Sequence, residues 1–304
     1  MLGTACSVGD GSPKMNNGAG TQETRGGGQG GLQEKRERVK RILQSFDRTI
    51  IAFSAGVDST LLVKIAREVL GRERVLSVTA DSPSLAREDL SEAHRLADTL
   101  DVEHLVINTQ EVSDFDYRAN SPGRCYICKR TLFHAMDTIA KQRGIPVILY
   151  GAIGDDSIAE RPGQRAALEC GVRAPLQEAG LTKSEVRELA QRLGLPNWNR
   201  PQNACLSSRI PHGLEVTEQK LKQIEAAEAF LHSQGFHQVR VRHLGAHARI
   251  EVSREQLVRF DDAVFCQTLV EVFSTLGFSI IGVDRRGYHS GGTDDSLIDE
   301  QWLS

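Results

Sequence analysis

No segment constrains this chain more than Ser54-Ala55-Gly56-Val57-Asp58-Ser59-Thr60. It joins an apolar run at 49–53, which reads as a buried strand, to a helical stretch at 59–70. In that stretch Leu61, Leu62, Ile65, Ala66, Val69 and Leu70 recur on one face. A Ser-x-Gly-x-Asp-Ser loop between strand and helix is a phosphate-binding arrangement. Small residues let backbone N–H groups reach anionic oxygens, and the helix N-terminus adds the positive end of its dipole. Ser54, Ser59 and Thr60 offer hydroxyl donors beside the open backbone of Gly56. Asp58 would repel a bare phosphate, so it predicts a Mg²⁺ partner or contacts with backbone amides. The Gly-Lys-Ser/Thr ending of a Walker loop is absent.

The remaining periodicity is that of an α/β chain with a mostly parallel sheet. Strand-like runs at 74–80, 104–107 and 147–150 alternate with helical stretches at 90–100 and 128–143, and a helix at 33–45 precedes them. A further helix at 183–193 opens at Thr182. Beyond Cys205 the texture changes to a helix at 217–233, a hairpin at 238–243 and 248–253, a helix at 257–276 and a strand at 279–284. That order predicts a second, smaller α+β domain, with helices on one face of its sheet. At 304 residues two domains are the natural expectation. The boundaries are a disordered Gly/Ser/Thr/Asn-rich tail at 1–31, an ATP domain at 32–205, the small domain at 206–290 for substrate or oligomerisation, and a tail at 291–304.

Charge and cysteine usage narrow the function. A net charge of -3 gives no general attraction to nucleic acid. No apolar run approaches the roughly 18–20 residues that span a bilayer, and no secretory apolar region opens the chain, so a cytoplasmic protein without membrane contact is expected. Its six cysteines are then reduced thiols, and any grouping among them points to metal, cluster or redox chemistry. Cys125 and Cys128 form a Cys-x-x-Cys pair at the opening of a helix, where the dipole favours thiolates. Cys205 lies far away, in Asn203-Ala204-Cys205-Leu206-Ser207-Ser208-Arg209. A structural zinc lacks an obvious fourth ligand. Three thiolates on an iron–sulfur cluster would leave one iron open for an exogenous sulfur. Cys170 and Cys266, in apolar helical settings, read as core residues.

Arg240 and Arg242 alternate with Val239 and Val241, so both point to one face of a strand. They read either as a solvated charged face or as a bidentate anion clamp. Lys129 is either a surface lysine or a contact to nucleotide phosphates. Glu251 shares a strand face with Arg249, which suggests an ion pair. Asp155 and Asp156 follow a strand end, within reach of ATP or Mg²⁺, and Trp198 reads as packing.

The loop resembles that of the PP-loop ATP pyrophosphatases, usually Ser-Gly-Gly-x-Asp-Ser, with Ala55 in place of the first glycine. Alanine is tolerated there unless the position needs a positive φ. Five further segments make the resemblance specific: Tyr150 to Asp156, Glu160 to Gly163, Asn197-Trp198-Asn199, Cys205 to Arg209, and Val239 to Arg242. Over residues 32–284 the chain is similar to the LarE family of ATP-dependent sulfur transferases. That resemblance implies an adenine site near Ala80, and a pyridinium dicarboxylate mononucleotide whose carboxylate is adenylated. It implies a catalytic Cys205, and a substrate-phosphate site at Ser208, Arg209, Arg240 and Arg242 with acidic positions Glu228 and Glu251. Members with the extra Cys-x-x-Cys are expected to carry a [4Fe–4S] cluster, here on Cys125, Cys128 and Cys205, and the family often forms hexamers. The competing readings are a tRNA thiolase, which predicts a basic, aromatic RNA-binding appendage, and an NAD- or GMP-synthetase relative, which leaves the cysteines unexplained. A non-enzymatic nucleotide sensor would release no pyrophosphate.

Overall fold

The computed structural model describes residues 27–154, 162–201, 204–288 and 300–303. The first unit runs through α1 (Gly27–Gln44), β1 (Thr49–Ala52), α2 (Val57–Leu70), β2 (Val75–Asp81), α3 (Arg87–Thr99) and β3 (Glu103–Asn108). It continues through α4 (Phe115–Arg118), α5 (Arg124–Arg143), β4 (Val147–Tyr150), α6 (Pro162–Glu169), α7 (Pro175–Glu178) and α8 (Lys183–Arg192). The 3₁₀ turn Leu206–Arg209 leads to α9 (Glu218–Ser233), β5 (Val239–Leu244), β6 (His247–Val252), α10 (Ala263–Thr275), β7 (Ile280–Asp284) and β8 (Glu300–Trp302).

The first sheet is parallel throughout, in the order β3-β2-β1-β4. All of β1 is buried, as expected of a strand covered on both faces. Its alternation sorts the core: Ile51 and Phe53 pack under α1, α2 and α8, while Ile50 and Ala52 pack with Phe133 and Met136 of α5. The chain winds outward from β1 to β3, then returns past β1 to add β4. That reversal leaves a crevice at the carboxyl ends of β1 and β4, where open α/β sheets receive ligands.

The second sheet has the order β5-β6-β7-β8, with β6 and β7 parallel and the other neighbours antiparallel. Its core joins Ala227 and Leu231 of α9 to Val241, Ile250, Leu269 and Phe273. Between the units lies a separate apolar cluster in which Tyr117 and Ile127 meet Leu206, Ile210, Leu221 and Ile224.

Several boundaries differ from the sequence reading. Helix α1 begins at Gly27 rather than 33, so residues 27–31 of the expected disordered tail are helical, and Leu32 is buried in the first core. Helix α5 begins at Arg124 rather than 128, so Cys125 lies in its first turn and Cys128 at the start of its second. The helix expected at 257–276 is a 3₁₀ stretch, Arg254–Asp261, followed by α10. Asp262 separates them because its carboxylate accepts from the backbone N–H groups of Val264 and Phe265 and caps the new helix. The stretch read as a tail at 291–304 contains β8, an edge strand fastened where Arg249 donates to Glu300 at 2.8 Å. Residues 1–26 and 291–299 of the two tails lie outside the described residues. Among the described residues no helix is long and apolar enough to cross a membrane.

Candidate active site

The loop after β1 occupies the crevice. Helix α2 starts at Val57 with Gly56 as its N-cap, so Asp58, Ser59 and Thr60 all belong to its first turn. The hydroxyls are arranged locally: Ser59 Oγ donates to Gly56 O at 3.0 Å and lies 3.2 Å from Ser54 Oγ. Ser54 is exposed, whereas Ser59 and Thr60 are buried. Behind the loop, Gly151 follows β4 so closely that a Cβ there would stand 2.8 Å from Ser59 N. A side chain at 151 would push the strand end off the helix N-terminus.

Ala55 does sit at positive φ, +57°, and is fully buried. A left-handed alanine costs roughly 1–2 kcal/mol, so something must hold it. Asn197, itself buried, donates from Nδ2 to Ala55 O and to Thr60 Oγ1, both at 2.9 Å. One amide therefore staples the two ends of the loop. The Asp58 carboxylate meets Lys183 Nζ through both oxygens, at 2.8 and 2.7 Å. The sequence reading offered Asp58 only Mg²⁺ or backbone amides and missed this partner. A signal was present: a lysine as the first residue of a helix opposes the dipole, which calls for an anionic neighbour.

Ala80 lies near the end of β2, paired with Ile107, and is followed by Asp81, ion-paired with Arg87 at 2.6 Å. Lys129 points along α5 with its Nζ 6.0 Å from the Phe133 ring. Asp155 and Asp156, and the segment Glu160-Arg161, lie outside the described residues. Trp198 packs half-buried on the first core; Cys170 and Cys266 are also half-buried, each at the margin of a core.

The cysteines gather on the same edge. Leu206 N donates to Ser84 O at 2.9 Å, docking the Cys205 turn on the loop that follows β2. Cys125 and Cys205 are exposed and Cys128 is half-buried. Burial pushes the Cys128 thiol up to about 12, and the carboxylate of Glu111 and the other two cysteines push the same way. Cys125 and Cys205 thus each lie within electrostatic reach of Cys128. Glu111 is itself buried; Ser84 donates to its Oε1 at 3.1 Å, and Oε2 has no hydrogen-bond partner among the described residues. Among the described residues no three His, Cys, Asp or Glu side chains close on a single ion.

The arginines expected at a phosphate are largely engaged. Arg209 forms a two-pronged pair with Glu228 at 2.9 and 3.1 Å, and Arg242 one with Glu251 at 2.9 and 3.0 Å. Glu251 therefore pairs with Arg242 rather than with Arg249. Glu228 also accepts from Val241 N at 2.9 Å, and Ser208 Oγ accepts from Arg209 at 3.1 Å. Arg240 is half-buried, 5.4 Å from the Tyr288 ring, and burial together with Arg209 lowers its pKa.

Comparison with known proteins agrees with this geometry. The NAD synthase family model matches residues 34–130, which hold the loop and the first three strands. An uncharacterised Synechocystis protein is 42% identical over 86% of this chain and 97% of its own length. The pyridinium-3,5-bisthiocarboxylic acid mononucleotide synthase of Lactiplantibacillus plantarum is 36% identical over 89% of this chain and 97% of its own. An argininosuccinate synthase of Natronomonas pharaonis is 31% identical over only 49% of the chain. A PP-loop fold alone is shared with the last; the identity that continues through the Cys205 turn and the second sheet is what makes this chain a member of the LarE family.

Proposed function

We propose that the chain adenylates a carboxylate of a pyridinium dicarboxylate mononucleotide and replaces the activated oxygen with sulfur. The observation that carries this reading is the docking of Leu206 on Ser84, which sets the Cys205 turn on the same carboxyl edge of the sheet as the phosphate loop. In this reading Ser54, Gly56, Ser59, Thr60 and the α2 N-terminus hold the ATP phosphates, the adenine lies against Ala80, and Lys129 assists from α5. Asp58, released from Lys183, would hold Mg²⁺, which when bound would supply charge neutralisation for the departing pyrophosphate. The substrate carboxylate forms a bond to the α-phosphorus as the bond to the β-phosphate oxygen breaks. The mixed anhydride then loses AMP to a sulfur nucleophile at the carbonyl carbon. Ser208 and Arg240 take the phosphate of the mononucleotide.

The sulfur corner is Cys125, Cys128 and Cys205. A single ion would need its thiolates about 3.8 Å apart, a compactness that the described residues lack. A cluster spreads its ligands more widely, and two thiols that each reach Cys128 electrostatically suit it better. A [4Fe–4S] cluster on these cysteines would supply, when bound, an open iron for an exogenous sulfide. Its cations would also reverse the rise in the Cys128 pKa. A cytoplasmic homo-hexamer that binds no nucleic acid completes the proposal.

The test is anaerobic purification, measurement of iron and sulfide, and incubation with ATP, Mg²⁺ and the pyridinium dicarboxylate mononucleotide. Thiocarboxylate, AMP and pyrophosphate are expected together. Pyrophosphate without thiocarboxylate from any sulfur source would remove the substrate assignment. Loss of about 34 Da from Cys205 would mean that its own sulfur is consumed, leaving dehydroalanine in place of the cluster route.

A further inference from the structure

The turn that carries Cys205 is gripped through its backbone by three buried guanidinium groups from three places in the chain. Arg209 Nη1 donates to Cys205 O at 3.0 Å and also to Ala204 O. Arg124, the first residue of α5, donates to Ser207 O at 2.8 Å. Arg242, on β5, donates to Ser208 O at 2.9 Å. All three are at most 9% exposed. The remaining faces of Arg209 and Arg242 are taken by the carboxylates of Glu228 and Glu251.

We infer that Arg209, with Arg124 and Arg242 beside it, is a positioning residue for Cys205 and not a reader of the substrate phosphate. A guanidinium offers five N–H donors in a rigid fork. That of Arg209 reaches both oxygens of Glu228, two carbonyls and the Ser208 hydroxyl. A phosphate would have to displace a carboxylate from a nearly dry pair, which leaves a buried charge uncompensated. Carbonyl oxygens held from both units fix the direction in which the turn projects its thiol. Placement of this kind acts on the reacting step, because small misalignments of a nucleophile cost far more in rate than in binding. The inference rests on the proposed sulfur transfer only in its kinetic arm.

The test compares Arg209→Lys with Arg240→Ala in the full chain. The substrate is offered both as the mononucleotide and as the nucleoside that lacks its phosphate. Arg209→Lys is expected to lower kcat at least 10-fold on both, with KM within about 2-fold. Arg240→Ala is expected to raise KM for the mononucleotide alone. Hydrogen exchange without ATP or substrate forms the second arm. Amides of residues 205–210 should exchange at least 10-fold faster in Arg209→Lys, while those of β1 and β6 keep wild-type protection. If Arg209→Lys does not fold, Glu228→Gln, which weakens the same grip, is read in both arms. A KM effect confined to the mononucleotide would overturn the inference. So would uniform loss of protection with an unchanged kcat per folded molecule. Wild-type protein that makes no thiocarboxylate would remove the proposed function, while the exchange arm still decides the positioning role.

Discussion

The ion pair at the phosphate loop and the one beneath the Cys205 turn differ in wetness. Asp58–Lys183 keeps side-chain exposures of 26% and 30%, whereas Arg209–Glu228 has 2% and 10%. A part-exposed pair is screened and contributes little to stability, so an incoming cation and phosphate can separate it at small cost. A dry pair resists opening, because each partner is stranded without the other. The ATP loop is therefore equipped with charges that can be redistributed, while the Cys205 turn is held by charges that stay where they are.

Glu228→Ala gives the widest separation between the two. It strands Arg209 and the amide of Val241, and should lower stability by about 3–5 kcal/mol in denaturant titration. A loss below about 1 kcal/mol would erase the contrast. Lys183→Ala is the counterpart at the loop. Its unfolding free energy should stay within about 1 kcal/mol of wild type, while ATP-dependent pyrophosphate release falls on the order of 100-fold. Normal release would show that Lys183 serves only as a resting partner for Asp58.

Acid acts on both units, since half-buried His104 in the first and buried His243 in the second both have their pKa lowered by burial. Burial pushes His104 and His243 down from 6.5 to about 4, helped by His94 and Lys220 respectively. As pH falls the unfolded chain binds protons first, so this part of the stability is full above pH 6.5 and declines toward pH 4. Denaturation midpoints across that window should flatten in His243→Gln; an unchanged slope would rule out this source.

The smallest effect is expected at Ala55→Gly. Relief of the left-handed alanine, roughly 1–2 kcal/mol, is offset by a lost buried methyl of about 0.8 kcal/mol and by the larger entropy of an unfolded glycine. Stability should move by less than about 1 kcal/mol. A larger rise would mean that Asn197 does not compensate the loop.

What the sequence disclosed follows the same line. The strand, loop and helix around Ser54 to Thr60 are contiguous, and their chemistry is readable because helix N-termini and glycine act locally. The cysteine pair is local too. Lys183 reaches Asp58 across 125 positions and Asn197 reaches Ala55 across 142, so only the packing of α8 and the loop beyond it reveals either. At Arg242 the strand register sets the partner: Arg249 lies directly opposite, and Glu251 is reached diagonally. Alternation along one strand told which face the arginines share but not what covers that face. The positive φ of Ala55 is held by an amide 142 positions away, so the loop's own residues do not disclose it.

The grip on the Cys205 turn bears on how portable the halves of this protein are. Its carbonyls are claimed by Arg124 from the nucleotide unit and by Arg242 from the mixed-sheet unit. A chimera that joins either unit to one from a relative matched over half the chain would inherit only part of the scaffold around Cys205. Such hybrids would keep nucleotide turnover yet lose coupling to sulfur, unless Arg124, Arg209 and Arg242 travel together with the turn.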